Sequence, residues 1–191
     1  MLDAQSLDHP GPRPSLSAAG MVIWLGSETM FFAGLFAAYF TLRAHARVWP
    51  PAGVELNLTQ GALFTGVLVA SSATMHFAAE SAAGRDFATC RRWLAATLVL
   101  AAAFIGNQAY EWSHLGFTVS SHRFGSAFFV MTGFHGLHVL GGMAAMALLS
   151  FKLRAGESGG DDVGAVEAIS YYWHFVDVVW VLLFAVLFIV R

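Results

Sequence analysis

Five runs of mostly apolar residues, 20–42, 58–79, 93–110, 126–151 and 168–190, dominate this chain. A helix needs about 20 such residues to cross the hydrocarbon of a bilayer, because each adds about 1.5 Å of rise. Those lengths fix the fold class: an all-α integral membrane protein, a bundle of five transmembrane helices. Spanning strands would alternate apolar and polar residues over about ten positions, and these runs do not. Composition agrees: 57% of the residues are hydrophobic, 12% are charged, and the mean hydropathy is +0.62. A soluble domain carries about twice that charged fraction.

The segments between the runs are short, so the expected organisation is a polar, Pro-containing tail over 1–19 followed by one membrane domain over 20–191. The tail lacks the charged-then-apolar profile of a signal peptide. In the first loop, Trp49-Pro50-Pro51 must break a helix. The fourth loop, read as 152–167, is Gly-rich and acidic and reads as flexible. Five spans put the termini on opposite sides. Arg13, Arg85, Arg91, Arg92, Lys152 and Arg154 fall on one side, against Arg43, Arg47, Arg123 and Arg191 on the other. The excess places the N-terminus inside and the C-terminus outside.

Net charge is −2 with no basic block, which argues against nucleic acid as a partner. Cys90 is the single cysteine. One thiol makes neither a disulfide nor a CxxCH haem attachment, and it reads as a spare thiol at the membrane edge.

The informative residues are the ionisable ones inside the spans, since each costs about 2.5–3.5 kcal/mol on insertion scales and so faces protein and a partner. They are Glu28, His135, His138, His174 and Asp177, with His76 and Glu111 nearer the span ends. His174, Asp177 and Trp180 follow one another at i, i+3 and share a stripe. His135 and His138 share a face by the same spacing. Counting residues from the span ends puts Glu28, His174 and Asp177 at one level in the inner half, and the two histidines near the middle. The expectation is a buried polar seam of Glu28, His135, His138, His174, Asp177 and Trp180. The small residues of the fourth span, among them Gly133, Gly136, Gly141 and Gly142, predict close helix packing.

Three uses of such a seam stay open on the residues alone. The HGLH pair offers two imidazoles to a transition metal or haem, although a structural site needs about four ligands. Glu28 offers a proton or ion pathway. A structural seam that fixes packing and supports docking is the third.

The motifs WLGSETMFFAGLFAAYF (24–40), FFVMTGFHGLHVLGG (128–142) and YYWHFVDVVWVLLF (171–184) resemble subunit III of the haem–copper terminal oxidases, with ELNL (55–58) and NQAYEW (107–112) agreeing more loosely. The larger members of that family have seven helices. This chain resembles the shorter bacterial form, most of all the actinobacterial cytochrome c oxidase version. The resemblance implies a subunit of a proton-pumping oxidase in the bacterial plasma membrane, passing through it several times. It implies no catalytic residue, cofactor or metal on this chain, with haem and copper in partner subunits I and II and phospholipid bound nearby. Further small subunits and a cytochrome bc supercomplex are the wider partners it suggests; a quinol oxidase or nitric oxide reductase-type complex is the alternative within the family. Glu28 matches the family's membrane-buried carboxylate, which reacts with carbodiimide in some relatives. Lys152 matches a basic position that contacts lipid phosphate in larger ones, and a lysine stem suits an interface.

Overall fold

The computed structural model describes residues 16–154 and 160–190. The 1–15 part of the tail and the 155–159 part of the fourth loop, with the tail and loop readings made for them, lie outside the described residues. Five helices follow in order: α1 Leu16–Ala44, α2 Leu58–Ala83, α3 Phe87–His114, α4 Arg123–Arg154 and α5 Gly160–Phe184. A π-helical turn, Ala185–Ile189, closes the chain. All five helices are long and apolar enough to cross a membrane.

Helix boundaries follow local chemistry. Asn57 caps α2, its side chain accepting from Gln60 N at 3.0 Å, and Asp86 caps α3 by accepting from Thr89 N at 3.0 Å. Each cap satisfies one of the amide donors that a helix start leaves over. The Asp86 carboxyl, outside the span, is held below its ordinary range mainly by the Thr89 hydrogen bond. Because α3 begins at Phe87, Cys90 is fully buried within a helix rather than lying in the loop expected for it. The fourth loop is also shorter than its composition implies, since α5 starts at Gly160. Asp162, near that start, is buried and paired with Lys152 at the end of α4. A carboxylate in the first turn favours the helix dipole, so acidic residues extend the helix here.

α5 is the hub of the bundle, packing against α1, α2 and α4, while α2 and α3 form a tight hairpin. α1 packs on α4 and α5, reaches the π-helical turn through Tyr39, and leaves most of its surface open. Gly142 makes room for a neighbour: a Cβ there would sit 2.9 Å from the ring of Trp173, a fully buried side chain on α5. Gly61 faces Phe184 and Phe188 at 3.1 Å, and Gly133 and Gly141 meet Trp112 at 3.4 Å and Tyr172 at 3.5 Å, whereas nothing lies within 4 Å of a Cβ built at Gly34, Gly66 or Gly136. Trp49 of the Pro-Pro loop folds back onto the bundle. Its Nε1 donates to Tyr39 Oη at 2.9 Å, and Tyr39 Oη donates to the Val186 carbonyl at 3.3 Å.

Candidate functional site

The polar residues of the spans fall into three groups, the second and third of which meet at Trp180. The first joins α1 to α4. Glu28 Oε2 lies 3.0 Å from His138 Nε2, with both side chains mostly shielded. His138 Nδ1 lies 2.7 Å from the Phe134 carbonyl. A carbonyl can only accept, so Nδ1 carries a hydrogen. The Glu28–His138 contact then shares one further proton, placed either on the imidazole or on the carboxyl. Tyr172 of α5 donates to the His138 carbonyl at 2.8 Å and stacks on Trp24 at 5.4 Å between ring centroids. Glu28 and His138 therefore stand at one level, against the separate levels expected for them. α1 begins at Leu16, so counting from position 20 understates the distance of Glu28 from the start of its helix by about 6 Å.

The second group joins α2 to α5. Ser72 Oγ donates to Asp177 Oδ2 and lies 2.8 Å from His174 Nδ1. A hydroxyl has one hydrogen, so the bonds run in one direction: His174 Nδ1–H to Ser72 Oγ, and Ser72 Oγ–H to Asp177. One turn further along the stripe, Trp180 Nε1 donates to Thr65 Oγ1 at 3.0 Å. The i, i+3 stripe thus meets α2 throughout. Asp177 is only 5% exposed, yet its Oδ1 has no hydrogen-bond partner among the described residues. The cluster opens sideways into a groove of about 320 Å³ walled by Val69, Val178, Val181 and Leu182.

The third group is His135, 1% exposed, lying against Trp180 at 4.9 Å and edge-on to Phe104 at 5.9 Å. Neither ring nitrogen has a partner among the described residues. His135 and His138 point to different neighbours, because residues three apart on a helix diverge by about 60°. Their shared face does not become a shared ligand set. Among the described residues no group of three or more His, Cys, Asp or Glu side chains converges as metal donors.

The remaining candidates sit apart. His76 pairs with Glu80 at 3.3 Å on an exposed face of α2. Glu111, near the end of α3, is partly buried and belongs to none of the three groups. The Lys152 ammonium donates to Asp162. Serine and threonine hydroxyls are expected partners for such buried groups, but the sequence does not say which: they are Ser71, which accepts from Trp173 Nε1 at 2.9 Å, Ser72, Thr65, and Thr74 with Thr97 at 2.7 Å. Serine and threonine enter a span at little cost and produce no interruption in an apolar run. The cluster of hydroxyls at 71–74 was the signal available.

Comparisons with known proteins bear on this arrangement. A sequence profile described as cytochrome c oxidase subunit III matches residues 15–190. The chain is 46% identical to a probable cytochrome c oxidase subunit 3 of Nocardia farcinica over 187 residues, covering 96% of this chain and 92% of that one. It is 40% identical to the cytochrome c oxidase subunit 3 of Corynebacterium diphtheriae over 185 residues, 94% and 90% of the two chains. The cytochrome c oxidase subunit 3 of Thermostichus vulcanus is 36% identical over 187 residues, 97% and 93% of the two.

Proposed function

The chain belongs to the cytochrome c oxidase subunit III family, and on that premise we propose that it packs beside subunit I of a proton-pumping oxidase and keeps it working. In this reading haem and copper reside in subunits I and II, cytochrome c supplies the electrons, and this subunit holds no redox centre. Its task is to stabilise the catalytic subunit, to shape the inner-side surface where protons are taken up, and to hold phospholipid.

The groove between α2 and α5 carries the reading. Lipid tails cannot hydrogen-bond, so a carboxylate oxygen left bare at that depth is costly. Asp177 Oδ1 lacks a donor among the described residues, while Val69, Val178, Val181 and Leu182 around it are exposed. An apolar partner helix packed over those side chains covers the groove, and a donor on it meets the buried oxygen once the Asp177 side chain turns toward the groove. Subunit I is that partner on the family premise.

The proton role is supported by the directional bonds from His174 through Ser72 to Asp177. His76 and Glu80 continue the Ser72 face of α2 at i+4 steps and are exposed. They offer titratable groups at the helix end, inside if the basic excess sets the orientation. Arg85, Arg91, Arg92, Lys152 and Arg154 share that end, against Arg43, Arg47 and Arg123 at the other. Lys152, although paired with Asp162, is half exposed and stays available to a lipid phosphate.

Removing the subunit from the purified oxidase tests the role. Haem content is expected to stay nearly intact while activity decays during turnover. Stable turnover without the subunit rejects it.

A further inference from the structure

A cleft of about 280 Å³ lies between the first turns of α3 and the last turns of α4. Arg91 and Arg154 line its mouth, with Ser150 beside them. Ala95, Leu98, Ala147 and Phe151 line the remainder, and the two alanines leave room between the helices. Leu98 and Ala147 each lie seven residues from the arginine on their own helix, about 10 Å further along the axis. The cleft is cationic at the membrane surface and apolar toward the interior.

Two other cations at this end already have carboxylates. Lys152 is paired with Asp162, and Arg92 attracts Asp86. Among the described residues no carboxylate lines the cleft, and neither Arg91 nor Arg154 has an ion pair or hydrogen bond. The Ser150 hydroxyl is buried there and likewise has no partner among them. Two guanidinium groups and a hydroxyl beside an apolar channel match a phosphodiester with an attached acyl chain. Guanidinium binds phosphate through paired, planar N–H donors, and basic pockets between helices at a membrane surface take anionic headgroups.

We propose that this cleft is a site for one anionic phospholipid, its phosphate held by Arg91, Arg154 and the Ser150 hydroxyl and one acyl chain lying along Ala95, Leu98 and Ala147. The site is distinct from the Lys152 position. It rests on the membrane placement of the proposed function but not on assembly with an oxidase.

The test uses the full chain, with whatever subunits it retains, reconstituted in vesicles of phosphatidylglycerol and phosphatidylethanolamine and then extracted for native mass spectrometry. One tightly held phosphatidylglycerol per chain is expected. Arg91→Gln with Arg154→Gln should weaken its retention about tenfold, the scale of a lost charge-assisted contact. Ala147→Leu, which fills the apolar channel and leaves both arginines, should lose the same lipid. Arg85→Gln should change nothing. Equal retention in the double-arginine variant overturns the proposal, as does equal retention of phosphatidylethanolamine. Displacement by inorganic phosphate alone would assign the arginines to a free anion and also overturn it. Retained partner subunits appear in the same spectra, so failure of the oxidase reading is seen separately.

Discussion

Glu28 and His138 meet at 3.0 Å between α1 and α4, with the rings of Phe31 and Phe32 beside the imidazole. Glu28→Gln keeps the shape and removes the acid. It should abolish covalent labelling of the chain by a hydrophobic carbodiimide, read by mass, while His138→Gln leaves the label on Glu28. Persistent labelling of the E28Q variant would place the reactive carboxyl elsewhere. A second residue-scale prediction concerns Asp86. Accepting the Thr89 hydrogen bond lowers its pKa in the fold, so its contribution is present above the ordinary carboxylate range and lost as pH falls through the lowered value. Asp86→Asn should cap α3 without that acid dependence, and Asp86→Ala should fray the first turn at every pH, measured by amide exchange at Thr89. Sequence alone picked out the charged members of these contacts but not their partners. Hydroxyl, indole and carbonyl groups that complete the bonds leave no trace in a hydropathy pattern.

Helix packing turns on particular glycines, Gly142 the tightest against a facing helix, more than on the small-residue content that made close packing legible. A side chain at Gly142 meets Trp173, whereas one at Gly34 meets nothing within 4 Å. Gly142→Leu should destabilise the chain by about 1–3 kcal/mol through overpacking, lowering its thermal midpoint by about 2–4 °C per kcal/mol. Gly34→Leu in the solubilised chain should stay within about 0.5 kcal/mol of the parent. Equal shifts for the two would mean that α4 and α5 do not meet through Gly142. The number and order of the helices were readable because lipid imposes length on apolar runs. Their ends were not, since α3 and α5 run on past the hydrocarbon on polar residues stabilised by a cap and by the Lys152–Asp162 pair. Which helix faces which was also hidden: the i, i+3 rule grouped His135 with His138, and the bundle divides them between Trp180 and Glu28.

At the scale of the whole molecule, the bundle is complete in its packing around α5 but leaves an acidic group half satisfied in the groove beside α2. Asp177→Leu separates two accounts of that groove. If lipid covers it, removing the bare carboxylate should preserve or improve stability with no effect on partners. If a partner donor meets Asp177, the same change should loosen the complex, and Asp177→Asn should loosen it less. The central claim, that this chain tunes a redox-active neighbour and holds no redox centre, is tested most directly by purification in mild detergent. The complex and the chain stripped of its companions are compared by absorption spectrum and metal content. The account predicts haem and copper in the complex, both accompanying the partner subunits, and neither at stoichiometric level on the separated chain. A Soret band or stoichiometric copper on the separated chain would contradict it.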